Sequence, residues 1–152
     1  MSPQNAGRIL ALDLGRRRIG LALSDELRLT AQGLETLERT NIREDIARLS
    51  ELIRNRGVTC VVVGNPMRLD GSEGTQSAWA RDFAAKLHRT TGVEVVAWDE
   101  RLTTVEAERV LKQSGISRTR RSRAVDRLAA VILLENYLDT LDRKNLHEGR
   151  NL

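Results

Sequence analysis

Three carboxylates occupy positions that invite chemistry. Asp13 falls near the end of the apolar run Arg8-Ile-Leu-Ala-Leu-Asp13-Leu. Glu100, with Asp99 beside it, closes a second such run, Val93 to Trp98. Asp126 falls early in a segment that is apolar almost all round, from Ala124 to Leu134. A buried acid needs a partner, a proton or a metal. Acids from two strand ends and one packed helix can converge at the carboxyl end of an open sheet, where such folds form their sites. Oxygen donors without His or Cys suit a hard ion, Mg²⁺ or Mn²⁺, rather than zinc. Two such ions about 3.5–4 Å apart can activate a water and stabilise the leaving oxygen in phosphodiester cleavage. Each acid also has an ordinary reading: Asp13 as a turn former before Gly15, Asp99 and Glu100 as a solvated strand end, Asp126 as a partner of the helix dipole. The joint pattern favours catalysis.

The cations match a polyanionic substrate. Net charge is +4, and between Arg109 and Arg127 seven basic residues face the single acid Asp126. A second knot is Arg16-Arg17-Arg18. Clustered arginine attracts a phosphate backbone, although a solvated basic face has the same composition. Arg118, Arg120, Arg121 and Arg123 are candidate backbone clamps, which fix position without reading sequence. Arg101 adjoins Glu100 and is placed to orient a carboxylate or touch a phosphate. Aromatic residues are only 3% of the chain, which excludes a base-stacking platform.

Around these residues, 152 positions suffice for one domain with one core. No apolar run approaches the roughly 18 residues of a membrane span, and Met1 to Gly7 lacks the pattern of a secretory signal. The lone cysteine, Cys60, excludes an intrachain disulfide and a Cys-based zinc site, and its neighbours Val58 to Val63 suggest a buried, hydrophobe-like thiol. A cytoplasmic protein without membrane contact is expected.

The hydropathy pattern predicts strands at 8–14, 19–24 and within 27–37, close enough to pair as antiparallel hairpins. Asn41 with Glu44 opens a helix, carried by Ile42, Ile46, Leu49 and Ile53 and stopped by Gly57. A β-branched strand, Val58 to Val63, leads to a Gly-rich loop at 64–74 of the kind that is often functional. Trp79, Phe83 and Leu87 mark a second helix ending before Gly92, followed by the strand Val93 to Trp98. Thr103 with Glu106 caps a third helix that ends at Gly115. A basic loop at 116–121 precedes a last helix over about 122–140, with Ser122 as its N-cap, and 143–152 reads as a frayed tail. The expected architecture is α/β: a mixed five-stranded sheet, three strands antiparallel and then two parallel, with helices on both faces.

Four ordered motifs carry a family resemblance. They are Asp13-Leu-Gly15-Arg-Arg-Arg18-Ile19-Gly20-Leu-Ala22; Val63-Gly64-Asn65-Pro66 with Asp70-Gly71-Ser72; Asp99-Glu100-Arg101-Leu102-Thr103-Thr104-Val-Glu106-Ala107; and Val125-Asp126 with Ala129, Ala130 and Leu133. From about residue 8 to 140 they resemble the YqgF/RuvX family, which is similar to the RuvC Holliday-junction resolvases. The resemblance implies an RNase H-like fold and metal-binding catalytic acids at Asp13, Glu100 and Asp126. It also implies a nuclease acting on branched DNA or on the 5′ end of precursor 16S rRNA, as a monomer or a homodimer. RuvC-like sites often hold a fourth acid shortly after the third, and here Arg127, Leu128 and Ala129 follow Asp126. Two other classes compete with a nuclease. One is a non-catalytic nucleic-acid-binding or ribosome-assembly factor. The other is a nucleotide-binding domain of the actin and sugar-kinase type, against which stands the lack of a Walker-type loop.

Overall fold

The computed structural model describes residues 7–65, 75–99 and 118–150. Their strands are β1 (Arg8–Leu14), β2 (Arg18–Ser24), β3 (Ala31–Glu38), β4 (Val58–Asn65) and β5 (Glu94–Asp99). The helices are α1 (Ile42–Arg56), α2 (Thr75–Thr91) and α3 (Arg118–Arg150). The sheet order is β3-β2-β1-β4-β5, with β1–β2 and β2–β3 antiparallel and β1–β4 and β4–β5 parallel. The mixed five-stranded sheet expected from the sequence is therefore present. The third expected helix, 103–115, and the Gly-rich segment 66–74 lie outside the described residues.

Strand alternation sorts the core into two layers. Leu10, Leu12 and Leu14 of β1 pack with Val61 and Val63 of β4, Leu49 and Ile53 of α1, and Phe83 and Leu87 of α2. Ile9 and Ala11 point the other way, with Ala22, Cys60 and Val62, and are covered by Ala130, Leu133, Leu134 and Leu138 of α3. β1 lies at the centre of the sheet, and Ile9 to Leu12 are fully buried.

The α3 layer depends on small side chains. Gly33, Ala22, Ala11, Val62 and Val96 form one cross-strand row. At Gly33 a Cβ would stand 2.6 Å from Arg127 Cγ and 3.3 Å from Val131 Cγ2. The helix comes down onto β3 because no side chain stands there.

The local signals for α1 behave as expected. The Asn41 side chain accepts the Glu44 N–H at 2.9 Å, and Gly57 ends the helix at φ 67° with its N–H on the Ile53 carbonyl. Such an N-cap contributes about 1 kcal/mol, and the left-handed C-cap favours glycine. In α2, Phe83 and Leu87 are buried and the Trp79 and Phe83 rings lie 5.7 Å apart.

Both ends of α3 differ from expectation. α3 starts at Arg118, not Ser122, and continues to Arg150, so 118–121 is not a loop and 143–150 is not a frayed tail. The run Arg118-Thr-Arg-Arg-Ser-Arg123 has no Gly or Pro, and arginine is among the better helix formers. Its charge reads as loop, but its propensity is helical. β3 starts at Ala31, inside the expected range, because Asp25 accepts the N–H groups of Leu29 (2.7 Å) and Thr30 (2.9 Å) and holds the preceding segment in a turn.

Candidate active site

Asp13 lies one step beyond Ala11 in the row that faces α3, at the carboxyl end of β1, and is half-buried. Its cross-strand partner is Gly20. One residue beyond the Leu12–Val63 pair, Gly64 of β4 comes beside it, and Gly64 in turn pairs with Trp98 of β5. The carboxylate thus stands between two residues without side chains, leaving space above the sheet. On the far side of Gly20, Glu35 and Thr36 of β3 oppose this single residue, because the β2–β3 register shifts between Ile19 and Leu21. Bulges of this type are over-represented beside active sites, where they re-aim neighbouring groups.

Because β1, β4 and β5 are parallel, their carboxyl ends share one edge of the sheet, and β2 begins there. The turn joining β1 to β2 carries Arg16 and Arg17 at the same edge, both exposed, and Arg18 opens β2 there. The turn is tight. The Gly15 N–H donates to the Arg18 carbonyl at 2.9 Å, and a Cβ at Gly15 would approach that oxygen to 2.7 Å.

A buried ionic cluster fixes the turn to the helices behind it. The Arg39 N–H donates to the Arg17 carbonyl (2.8 Å), and Arg39 Nη1 donates to the Gly15 carbonyl (3.1 Å). Arg39 Nε reaches Asp45 Oδ2 (3.3 Å), and the guanidinium lies 4.3 Å from the centre of the Trp79 ring. Asp45 is wholly buried and also accepts from Arg48 (3.1 Å) and the Thr40 N–H (3.1 Å). A buried carboxylate is tolerated when its lone pairs are met this fully. Residue-type reasoning missed Arg39 and Asp45. The signal was present: Asp45 lies on the Ile42, Ile46, Leu49 and Ile53 stripe, and an acid on an apolar stripe announces a buried cation.

Asp126 is the ninth residue of α3, about two turns inside the helix. Four and seven positions on, Ala130 and Leu133 are fully buried against the sheet, so position 126 continues the sheet-facing stripe toward the helix start. The dipole reading of Asp126 fails with this boundary, since that effect fades within the first turn. Arg118, Arg120, Arg121 and Arg123 occupy the first two turns of α3, with no acid in the first turn, so their charges add to the positive end of the helix dipole.

Trp98 and Tyr137 meet edge-on at 5.2 Å, which ties the carboxyl end of β5 to α3. Asp99, opposite Asn65, is in the alternate row of the pleat from Trp98. Glu100 and Arg101 lie outside the described residues, as do the side chains of Asp99, Asp126, Arg118, Arg120, Arg121 and Arg123. Among the described residues no three His, Cys, Asp or Glu side chains form a metal-binding group.

Cys60 is buried as expected, and burial, with Glu94 nearby, pushes its thiol up to about 11. A thiol so hard to ionise is a poor nucleophile. His88 is exposed, its Nδ1 2.8 Å from the Val93 carbonyl. Among the described residues no helix is long and apolar enough to cross a membrane.

The arrangement matches known proteins in sequence and in fold. The chain is 51% identical over 133 residues to a protein of Koribacter versatilis provisionally named a pre-16S rRNA nuclease, covering 88% of this chain and 87% of that one. It is 44% identical over 137 residues to a Bacillus subtilis protein of the same name, covering 89% and 99%. Among solved structures it is similar to Thermus thermophilus RuvC in complex with a Holliday-junction substrate (TM-score 0.54, 19% identity, 89% and 96% coverage). It is also similar to the fowlpox virus resolvase bound to Holliday-junction DNA (TM-score 0.57, 12% identity, 88% and 98% coverage). At these identities the two structures establish the fold, a RuvC-like sheet with its helices. The RuvX family, described as Holliday junction resolvase, matches residues 7–140. The chain belongs to the RuvX family of nucleases.

Proposed function

We propose that this protein is a divalent-metal-dependent endonuclease that hydrolyses phosphodiester bonds in structured nucleic acid, with Asp13, Glu100 and Asp126 as its catalytic acids. The observation that carries the reading is the placement of Asp13: half-buried, at the carboxyl edge of the central strand, beside Gly20 and next to the three-arginine turn. Row parity favours Glu100 over Asp99 as the second acid. Trp98 shares the row of Asp13, Asp99 belongs to the alternate row, and Glu100 follows Trp98 by two positions.

An all-carboxylate set fits Mg²⁺ or Mn²⁺, and the side-chain-free space beside Asp13 gives such an ion room. When bound, the ion supplies a nucleophilic water at neutral pH and neutralises charge on the phosphate. The protein's own residues do the rest. The three carboxylates position the ion. Arg16, Arg17 and Arg18 hold the backbone on one side of the site, and Arg118, Arg120, Arg121 and Arg123 hold it on the other. Arg101 orients the Glu100 carboxylate or contacts the phosphate. Arg39, anchored on Asp45 and Trp79, keeps the arginine turn at the sheet edge.

Trimming of precursor 16S rRNA in the cytoplasm by a monomer is the first reading, supported by the names of close relatives. Resolution of a four-way junction is the second, supported by the family description; its two symmetric cuts favour a homodimer. One cleavage panel tests both: precursor rRNA and a four-way DNA junction, each with Mg²⁺, Mn²⁺ or EDTA. The expected result is metal-dependent cutting that Asp13→Asn lowers by roughly 10³-fold, about 4 kcal/mol, while substrate binding persists. Undiminished cutting by that variant, or cutting in EDTA, ends the proposal.

A further inference from the structure

The sheet face away from α3 carries a second cationic surface. Arg43 of α1 and Lys86 and Arg89 of α2 converge on a groove of about 290 Å³ floored by Ile46 and Ala47. All three cations are exposed, no carboxylate is among the described lining residues, and none of the three has a carboxylate partner among the described residues. The groove continues along the α1–α2 seam, past Thr90, into a second depression of about 400 Å³ with Ser50, Arg54, Thr59 and Thr91 on its walls. The seam therefore presents four cations with hydroxyl groups between them. By contrast, Arg48 of α1 closes on Asp45 of the same helix. Like charges gathered in one groove with no carboxylate in its described lining repel one another, and an external anion relieves that repulsion.

From Arg43 to Arg54 the seam is about 16 Å long by helical rise. One strand of a duplex presents a phosphate every ~3.4 Å of rise but winds about the axis, so a straight seam of this length meets about two or three phosphates of a single strand. Above an apolar floor that includes Ile46, Ala47, Ile53 and Val58, the polar groups of the lining are hydroxyls, guanidiniums and the Lys86 ammonium, with no aromatic ring among the described lining residues. Such a surface contacts a sugar–phosphate backbone and does not read bases.

We infer that the α1–α2 seam is a second nucleic-acid site, which holds the sugar–phosphate backbone of a substrate arm remote from the cut. The inference rests on the nucleic-acid reading above and extends it to a face that carries none of the proposed catalytic acids. Substrates long enough to reach both faces gain affinity from the seam; short ones do not.

The test is the combined variant Arg43→Gln, Lys86→Gln and Arg89→Gln in the full chain, with thermal melting to confirm the fold. Binding of long and short labelled RNA and DNA duplexes is measured across a salt series. For the long duplex, affinity is expected to fall about tenfold or more, and the slope of log affinity against log salt to shrink by about 2–3, near 0.9 per lost phosphate contact. KM on a long substrate rises while kcat stays within about twofold, as expected for binding made equally in ground and transition states. An unchanged salt slope overturns the inference, and so does a loss seen for polyglutamate but not for either duplex, which would mark an acidic-protein site. Asp13→Asn is run alongside. Cutting that survives there sinks the nuclease reading alone, whereas an unchanged slope with Asp13→Asn inactive sinks the seam alone.

Discussion

The two faces of the sheet are packed on different terms. Toward α1 and α2 the strands present Leu10, Leu12, Leu14, Val61 and Val63, and large side chains such as Phe83 and Leu49 close over them. Toward α3 the strands present Gly33, Ala22 and Ala11, and the next row holds Gly20 and Asp13. Bulk on the first face supplies stability through burial. Smallness on the second lets a helix approach closely and leaves space at its edge for a carboxylate and whatever it binds. The polar row sits where the packing thins, so one sheet serves both as scaffold and as site.

Truncation of the first face is expected to have the largest effect on stability. Phe83 is 1% exposed, and Phe83→Ala should cost about 3–5 kcal/mol, read as a shift in the urea midpoint. The specific cleavage rate of the folded fraction should not change. A loss of rate larger than the loss of folded protein would mean that the two faces are not separable.

The opposite behaviour is expected of Gly33→Val. Its Cβ must displace Arg127 Cγ from 2.6 Å, a clash that costs about 1–3 kcal/mol and lifts α3, and Asp126 with it, from the sheet. Cleavage should fall further than stability predicts. Equal losses in both would reduce Gly33 to a packing residue.

The smallest effect concerns alkali. Burial raises the Cys60 thiol from 9.0 to about 11 and the Tyr137 hydroxyl from 10.0 to about 12. The unfolded chain releases these protons first, so stability is full below pH 9 and declines as pH rises toward 11 and beyond. The decline should reach roughly 1–3 kcal/mol. Both groups belong to the α3 layer, whereas the opposite apolar cluster contains no titratable side chain. Denaturation midpoints at pH 8 and pH 10 measure the decline, and Cys60→Ala should flatten it.

Legibility in the sequence followed the range of the interactions. The Asn41 cap, the Gly57 stop and the Trp79, Phe83, Leu87 stripe are local patterns, and each element they mark is present. The placement of Asp13 at a strand end followed from a seven-residue run. What escaped is long-range or ambiguous. Arg39 meets Asp45 six residues away and Trp79 forty residues away, and no window along the chain contains that set. The role of Gly33 depends on Arg127, nearly a hundred positions later. The start of α3 was obscured because arginine is both a surface charge and a good helix former. Glu100 and Asp126 stand out by residue type and motif, and we propose their meeting with Asp13.

That meeting is the central claim, and Mn²⁺ titration of the nucleic-acid-free protein tests it most directly. The wild type is compared with Asp13→Asn, Glu100→Gln and Asp126→Asn, and with Asp99→Asn as a neighbour. If the three acids share an ion, each of the first three variants weakens Mn²⁺ binding by about tenfold or more, and Asp99→Asn binds like the wild type. Wild-type affinity in any one of those three variants contradicts the shared site.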